Sequence, residues 1–393
     1  MQIQIPTQVE HIIKILNRDG YEAYAVGGCV RDTLLGRSPE DWDITTSAKP
    51  EQVKALFHRT IDTGIQHGTV TVMMGGVGYE VTTYRIDGEY EDGRHPKQVE
   101  FTSNLLEDLK RRDFTINAMA YSHETGIVDA FGGMEDLKNR IIRCVGDPVE
   151  RFTEDALRIL RAIRFSAQLD FQVEQETWNA IGMIGPNLRK VSRERVQMEL
   201  TKLLCSGHPE RISQVYETGV SPYVSAEFAA LPWKEAEIPV SLSPIKYVRW
   251  AGFLRCGRDA QKAVQILKDL KLDNDTIGRV KTLVAWSGKE LEPEPAQVRR
   301  AMSRMEPEVW DALMDLNGYS LEIRKLTDQI RRSGDCLDLK HLAVKGQDLI
   351  AAGVKPGKML GEILNRMLDE VLEHPEKNKK ELLLKEFEGL WLS

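Results

Sequence analysis

The sequence predicts an α+β domain over residues 1–145, followed by an all-helical region that continues to residue 393. Two β-rich runs, GTVTVMM and GYEVTTYR, flank the glycine-rich segment Gly75–Gly78, which is typical of a β-hairpin. Short helical patterns alternate with strand-like runs throughout the α+β domain. From about residue 147 the apolar residues recur with the period of an α-helix, as in DALRILRAIRFSAQL and RERVQMELTKLL.

Local signals predict the individual elements of the α+β domain. The run QVEHIIKILNRDG has helical spacing and ends at Gly20, a residue type that often follows a helix. YEAYAVGG predicts a strand that enters a glycine turn, and VRDTLLG predicts a short helix closed by Gly36. WDITT is strand-like, and PEQVKALF begins a helix with Pro50 in its first turn. Residues 86–98 are polar and rich in turn formers, so we expect a mobile loop there.

The helical region is interrupted by a proline-rich stretch, Leu231–Pro244. This stretch predicts a domain boundary or an irregular connector. Helical spacing resumes at YVRWAGFLR and continues to EILNRMLDEVL and KKELLLKEFEGLWL near the end of the sequence. The sequence shows neither a short-period repeat nor a low-complexity tract.

Composition narrows the class of protein. The chain has 393 residues, of which 41% are hydrophobic, so we expect several domains with buried cores. No run of about 18 apolar residues is present, and the first residues lack the pattern of a signal peptide, which favours a cytoplasmic protein without a membrane span. The five cysteines lack CxxC spacing, which argues against a zinc site or a disulfide framework. The net charge of −7 argues against non-specific coating of nucleic acid, although a local basic face remains compatible with RNA binding.

The strongest local feature is a glycine turn followed by paired carboxylates. Gly27 and Gly28 lie between a predicted strand and helix, where backbone N–H groups can approach a phosphate closely. Arg31 falls in the first turn of that helix, where its guanidinium could pair with phosphate oxygens. Asp41 and Asp43 are two residues apart on a predicted strand, so both side chains should point to one face and bind Mg²⁺. Either feature alone is usually a simple turn or a solvated acidic pair, but their order and spacing favour a site.

Three further strings allow a structural or a functional interpretation. RRDFTINAM, which starts at Arg111, could be a solvated helix start, and the glycines of Val128–Gly133 could simply end a strand. Thr153 is a natural N-cap with acidic residues after it, which explains Glu154 and Asp155 structurally. Arginines then follow at every third position, at Arg158, Arg161 and Arg164, so they lie on one flank of the predicted helix. Few acids lie near them in the sequence, and such a row of positive charges is costly unless anions bind to it.

Taken together, these strings resemble the signature motifs of class II tRNA nucleotidyltransferases and bacterial poly(A) polymerases, in the DNA polymerase β-like superfamily. The resemblance rests on GGCVRDTLLGRSPEDWDITT, RRDFTINAM, EDALRILRAIRF and, less distinctively, SRERVQME, and it covers residues 22–200 in family order. It implies a nucleotidyltransferase head followed by three helical regions, called neck, body and tail. We assign the head to residues 1–145, the neck to 146–206, the body to 207–290 and the tail to 291–393.

The resemblance also implies roles for individual residues. Asp41 and Asp43 would hold Mg²⁺. Gly28, Arg31 and Arg112 would contact the triphosphate of the incoming nucleotide. The remaining roles concern the nucleoside: Asp113 would help recognise the 2′-hydroxyl, Asp155 and Arg158 would hydrogen-bond the Watson–Crick edge of the base, and Arg161 and Arg164 would line the nucleotide pocket. Val128–Gly133 would form a hinge between head and neck, and Ser192–Glu199 would support the neck.

Within this family, the predicted reaction is addition of CCA to the 3′ end of tRNA from CTP and ATP, with no protein partner. Poly(A) polymerase is the less favoured alternative, since TGIQHGTVTVMM contains no basic, aromatic GRRFR-like stretch. The long segment between the first two motifs disfavours CC-only addition, and A-only addition stays open because the motifs are shared.

Other classes are disfavoured by particular residues. An RNA-binding protein with an inactive head would be expected to lack Asp41, Asp43 or the glycine turn. The GxGxxG turn of dinucleotide-binding oxidoreductases is absent. The sequence contains no His-Asp dipeptide, so we expect no second, phosphohydrolase activity. Trp42 should face away from the metals and tolerate substitution.

Overall fold

The structure, a computed structural model, describes residues 3–87 and 99–390, and it divides into two compact units. The first unit contains residues 1–236 and 265–272, and the second contains residues 237–264 and 273–393. The chain passes from one unit to the other at Ala236–Glu237, within the proline-rich stretch predicted to be a boundary. Most of the predicted mobile loop, residues 88–98, lies outside the described residues.

All described strands belong to the first unit. In chain order they are β1 Ala23–Val26, β2 Asp43–Thr46, β3 Thr60–Gly64, β4 Thr69–Met74, β5 Val77–Thr83, β6 Arg85–Asp87, β7 Val99–Phe101, β8 Met119–Ser122, β9 Gly126–Asp129, β10 Ile141–Ile142 and β11 Gln172–Val173. Seven of them form one mixed sheet in the order β3-β4-β5-β2-β1-β8-β9. The pairs β6–β7 and β10–β11 are separate, and β11 is a short departure from the all-helical region expected after residue 147.

Helices of the first unit precede, connect and follow these strands. Those that lie wholly within its described residues are α1 Thr7–Arg18, α2 Gly28–Leu34, α3 Pro50–Leu56, α4 Leu105–Lys110, α5 Gly133–Asn139, α6 Pro148–Glu154, α7 Leu157–Leu169, α8 Gln175–Ile184, α9 Arg193–Leu204, α10 Ser213–Glu217, α11 Ser221–Val224 and α12 Ala226–Ala229. The predicted elements of the α+β domain are therefore confirmed. The helix expected before Gly20 is α1, and the predicted hairpin is β4–β5, whose register pairs Met74 with Val77.

Sheet pairing fixes the neighbourhood of the candidate carboxylates. β1 and β2 are antiparallel, whereas β2 and β5 are parallel with Asp43 opposite Glu80. β1 and β5 therefore flank β2, and α2 follows β1 directly. The strand β2 begins at Asp43, so Asp41 lies just before the strand, whereas the sequence had predicted it to be on the strand.

The helices after residue 147 begin differently from the prediction. Thr153 is not an N-cap: it lies inside α6, where its hydroxyl donates to the carbonyl of Val149 at 2.7 Å. Asp155 lies between α6 and α7 and accepts a hydrogen bond from the backbone N–H of Leu157 at 3.0 Å. Helix α7 then packs against α9.

Helices make up the described secondary structure of the second unit. They are α13 Lys246–Leu254, α14 Ala260–Asp269 (whose last residues belong to the first unit), α15 Asn274–Trp286, α16 Pro295–Met302, α17 Pro307–Asn317, α18 Leu321–Ser333, α19 Gly346–Ala351, α20 Lys358–Glu373 and α21 Lys380–Phe387. One core cluster of this unit contains the buried residues Leu342, Val344, Leu349, Met367, Val371 and Leu383. Across the described residues of the chain, no helix is both long enough and apolar enough to span a bilayer.

Candidate nucleotidyl-transfer site

The glycine turn brings the start of α2 against an arginine from a distant segment of the sequence. Gly27 precedes α2 with φ of 80°, in the region that favours glycine. A Cβ at this position would lie 2.9 Å from Nη1 of Arg112. The backbone conformation therefore favours glycine here, and any larger residue would also have to displace this guanidinium.

A third carboxylate joins the two that the sequence identified. Glu80 is opposite Asp43 in the sheet, and cross-strand partners point to the same face. The pKa of the Asp43 carboxyl lies above its ordinary value because the protein displaces water from it and because Glu80 and Asp41 add negative charge, which Arg112 partly offsets. Asp41, Asp43 and Glu80 thus form an acidic cluster whose mutual repulsion a cation would relieve.

Two cavities meet at these acidic residues. The larger, about 570 Å³, extends from Asp41 and Asp43 along α2 to α7 and the end of α9. It is lined by Gly28, Cys29, Arg31, Asp32, Arg37, Ser38, Glu40, Asp41, Asp43, Arg164, Gln168, Leu169, Lys202, Ser206 and Gly207. The second, about 490 Å³, is lined by Glu40, Asp41, Trp42, Asp43, Thr71, Val77, Gly78, Tyr79 and Glu80. Trp42 thus lines a cavity together with the carboxylates from which it was expected to face away.

Arg31 lies in the larger cavity, but its guanidinium is already bonded. Nε and Nη2 donate to the two carboxylate oxygens of Asp32 at 2.9 and 2.8 Å, and Nη1 donates to Asn117 at 2.6 Å. The Arg31 guanidinium also lies 4.9 Å from the centre of the Phe165 ring. A phosphate that pairs with Arg31 therefore has to replace or share these partners.

Asp113 and Arg161 form a pair inside the first unit. Nε and Nη2 of Arg161 both lie 2.7 Å from Oδ2 of Asp113, while Oδ1 accepts from Asn117 at 3.0 Å and from the N–H of Phe114 at 2.9 Å. Burial by itself would raise the pKa of this carboxyl, but Arg161 and the Asn117 hydrogen bond outweigh it and lower the pKa well below the ordinary value. Asp113 is therefore ionised at neutral pH.

The arginines of α7 were expected to have few acids beside them, but the structure gives each an acidic partner, one from the end of α6 and two through tertiary contacts. Arg158 pairs with Glu154 at 2.6 Å, Arg161 with Asp113, and Arg164 with Glu199 of α9 at 2.5 Å. Of the three, only Arg164 lines the larger cavity.

The segment Ser192–Glu199, which was expected to support the neck, supplies ion-pair partners to Asp155 and Arg164. Arg195 donates to Oδ2 of Asp155 at 2.7 Å, and Glu199 accepts from Arg164. Asp155 is thereby held by α9 on one oxygen and by the start of α7 on the other. This geometry fixes the carboxylate at the junction of α6 and α7.

Five of the ten predicted site residues line the larger cavity: Gly28, Arg31, Asp41, Asp43 and Arg164. Arg112, Asp113, Asp155, Arg158 and Arg161 do not line it, and each contacts another motif residue or the glycine turn. Sequence reasoning missed Glu80, whose only signal was its place on a strand of the predicted hairpin. Among the described residues, no group of three or more His, Cys, Asp or Glu side chains is gathered closely enough to hold a metal ion as it stands.

Most of the chain matches known protein families. Residues 23–143 match the family described as poly A polymerase head domain, and residues 170–231 match a probable RNA and SrmB binding site of polymerase A. Residues 246–387 match the family described as tRNA nucleotidyltransferase domain 2, putative. These matches follow the order of the sequence motifs and continue through the helical second unit.

Full-length relatives agree with the domain matches. A CCA-adding enzyme of Ligilactobacillus salivarius is 37% identical over 97% of this chain and 96% of its own length. One from Levilactobacillus brevis is 39% identical over 95% of both chains. The crystal structure of the Bacillus stearothermophilus CCA-adding enzyme in complex with CTP superposes with a TM-score of 0.80 at 33% identity, covering 99% of both chains. The chain is therefore a nucleotidyltransferase that belongs to the family of CCA-adding enzymes.

Proposed function

We propose that this enzyme adds CCA to the 3′ end of tRNA by sequential transfer of CMP and AMP from CTP and ATP, with release of pyrophosphate and without a nucleic-acid template. The observation that carries the proposal is the acidic cluster next to the glycine turn, where a large cavity meets Asp41 and Asp43. Membership of the CCA-adding family supports this choice of polymer and nucleotides.

The acidic cluster supplies the type of ligand that Mg²⁺ prefers, but its carboxylates are not gathered closely enough to hold the ion as they stand, so they would have to draw together when it binds. Its donors are carboxylate oxygens, which this ion prefers, and the pKa of Asp43 is raised first by loss of contact with water and then by the negative charge of Glu80 and Asp41. We propose that Asp41 and Asp43 hold the metal and that Glu80 contributes a third carboxylate to the metal site. When bound, Mg²⁺ would stabilise negative charge on the attacking and leaving oxygens.

Gly28, Arg31 and Arg112 are proposed to bind the triphosphate. Gly28 starts α2, so its backbone N–H has no intrahelical acceptor and can meet a phosphate oxygen. Arg31 is one turn further along the same cavity, and Arg112 lies against Gly27. With the α-phosphate so oriented, the RNA 3′-hydroxyl attacks it in line and pyrophosphate departs.

The nucleoside is proposed to be recognised by residues of α7 and by acidic residues packed next to it. Asp155 and Arg158 would hydrogen-bond the Watson–Crick edge, and their ion pairs with Arg195 and Glu154 would keep both groups preorganised. Asp113 would help recognise the 2′-hydroxyl. Arg161, its ion-pair partner, and Arg164 would border the nucleotide pocket.

The remaining chain is proposed to position tRNA. We keep the division into a head at 1–145, a neck at 146–206, a body at 207–290 and a tail at 291–393, with the hinge at Val128–Gly133. The helical body and tail would grip the acceptor and T arms by shape and phosphate contacts. We place this activity in the cytoplasm, where its proposed substrates are found.

The deciding experiment supplies tRNA that ends at the discriminator base together with labelled CTP and ATP. Addition of C, C and A followed by arrest is the expected result. A lengthening A tail would support poly(A) polymerase instead, arrest after two C residues would support CC-only addition, and activity only on tRNA ending in CC would support A-only addition.

The metal assignment is tested by removing its carboxylates. Asp41→Ala and Asp43→Ala should abolish incorporation while circular dichroism stays unchanged, and Glu80→Gln should lower the rate and raise the Mg²⁺ concentration needed for half-maximal activity. Asp62→Ala, which removes an exposed carboxylate of the same sheet, is the matched control. Turnover retained in the Asp41 or Asp43 variant would contradict the assignment.

Base reading is tested by the choice among nucleotides. Asp155→Ala should lower the preference for CTP over UTP, measured as the ratio of kcat/KM values. Glu176→Ala, an exposed acid in the first turn of α8, is the control and should leave the ratio unchanged. An unchanged ratio in the Asp155 variant would exclude this residue from base selection.

A further inference from the structure

Asp108 of α4 is a fully buried carboxylate that faces hydrogen-bond donors of four residues. Its Oδ1 accepts from Nε and Nη2 of Arg111 at 2.9 and 2.8 Å and from the backbone N–H of Arg85 at 3.4 Å. Its Oδ2 accepts from the hydroxyl of Thr45 at 3.0 Å and faces Nη2 of Arg112 at 3.4 Å. The side chain has no exposed surface.

This carboxylate connects the two halves of the proposed site. Thr45 follows Asp43 by two residues on β2, so Asp108 is attached to the strand that carries a catalytic carboxylate. Arg112, on its other side, contacts the glycine turn through Nη1. The positive charge of Arg112 also counteracts the rise in the pKa of Asp43, so this guanidinium touches the glycine turn and acts electrostatically on the acidic cluster.

The contacts of Arg112 leave it available to a ligand. Its ion pair with Asp108 is long, at 3.4 Å, and its Nε is buried yet makes no hydrogen bond within the described residues of the chain. A buried donor without a partner is costly unless something else binds it. The guanidinium of Arg112 therefore has one long ion pair and unused hydrogen-bonding capacity with which to bind an anion.

The energetic cost of burying the charged Asp108 side chain is offset by other residues besides Arg112. Burial by itself would raise the pKa of this carboxyl, but Arg111 and Arg112 outweigh it and the pKa is lowered. Arg111 and Thr45 already satisfy both oxygens at normal hydrogen-bond distances. The contact with Arg112 is therefore dispensable for solvating Asp108, but it orients Arg112.

We propose that Asp108 is a positioning residue for nucleotidyl transfer, whose buried carboxylate holds the guanidinium of Arg112 against the Gly27–Gly28 turn so that its remaining donors meet the triphosphate. This inference rests on the proposed function for its substrate. The property that it predicts directly is recognition of a polyphosphate, which is measurable without RNA.

The test is a double-mutant cycle on binding of inorganic tripolyphosphate by calorimetry, with the full chain and Mg²⁺. Asp108→Asn keeps the shape of the side chain and removes its charge, and should weaken binding about tenfold. Arg112→Gln should weaken binding at least as much. In the double variant the loss should equal that of Arg112→Gln alone, because the two residues act through one contact.

Thr45→Val is the matched control, since it removes another hydrogen bond to the same Asp108 oxygen without touching Arg112. It should lower thermal stability and leave tripolyphosphate binding unchanged. In steady-state assays with tRNA, Asp108→Asn should raise the KM for CTP about tenfold and change kcat less than about twofold. A merely structural role would reduce the active fraction, and hence kcat, without this change in KM.

Multiplicative losses in the double variant, or equal weakening by Thr45→Val, would overturn the inference. If Asp108→Asn does not fold, Asp108→Ser, which leaves room for a water, enters the same cycle. A wild-type protein that binds tripolyphosphate but adds no CMP to tRNA would refute the proposed function alone. Loss of coupling in a protein that does add CCA would refute the role of Asp108 alone.

Discussion

The ion pair between Arg164 and Glu199 gives the sharpest test of how α7 and α9 are held together. Nε of Arg164 lies 2.5 Å from a carboxylate oxygen of Glu199, and the two side chains are only 8% and 5% exposed. Removing Glu199 would leave a buried guanidinium with the amide oxygen of Gln168 at 2.5 Å and the face of Phe165 at 3.8 Å.

The magnitude follows from this burial. Removing one partner of a buried ion pair costs about 3–5 kcal/mol. Since Arg164 keeps two favourable neighbours, we expect Glu199→Ala to cost about 3 kcal/mol, at the lower end of that range. Glu199→Gln retains a hydrogen-bond acceptor and should cost roughly 1–2 kcal/mol.

Hydrogen exchange of the backbone amides in α7 and α9 measures the effect locally. A loss of about 3 kcal/mol should accelerate exchange in both helices roughly 100-fold in the Glu199→Ala variant. Lys54→Ala is the control, because it breaks an exposed pair with Asp62 and should change these amides by less than about twofold. Acceleration below about fivefold in Glu199→Ala would refute the reasoning, as would an equal effect of Lys54→Ala.

Substitutions at three further positions test other regions of the fold. Asp129→Ala removes the acceptor of the first two N–H groups of α5, at 2.7 and 2.8 Å, and should cost about 1 kcal/mol in urea unfolding; Asp129→Asn should recover most of it. Gly133→Ala places a Cβ 2.4 Å from the carbonyl oxygen of Thr115 and should cost about 1–3 kcal/mol in the same assay, whereas no loss would contradict the packing. The hydrogen bond from Lys246 lowers the pKa of Asp273. The ionised carboxylate therefore stabilises the second unit at pH values above the ordinary carboxyl pKa of about 4, and this stabilisation decreases as the pH falls below that value. Asp273→Asn should therefore reduce the drop in Tm between about pH 5 and pH 3, and an unchanged drop would exclude this contribution.

Much of the local structure was available from the sequence. The glycine turn, the hairpin β4–β5 and the amphipathic helices α7 and α9 depend on residues close together in the chain, so spacing alone identified them. The candidate triphosphate turn and Asp41 with Asp43 were found for the same reason. The order of the motifs was sufficient to identify the family, which the comparisons confirmed.

Predictions that depended on a boundary of one or two residues were less accurate. Thr153 has the chemistry of an N-cap, yet α6 continues through it and Asp155 holds the start of α7. Asp41 lies just before β2, although alternation treated it as a strand residue. Helix and strand ends are decided by competing hydrogen bonds, which residue preferences describe only approximately.

The sequence by itself determined which chemical groups this protein has and their local arrangement, because turns, strands and helices follow from neighbouring residues. Only the tertiary structure decided which groups meet. Glu80 reaches Asp43 through the parallel register of β2 and β5, and the arginines of α7 obtain acids from α9 and from Asp113. Such contacts join residues up to 48 positions apart, and they form because burying a charge is costly unless an opposite charge is brought to it.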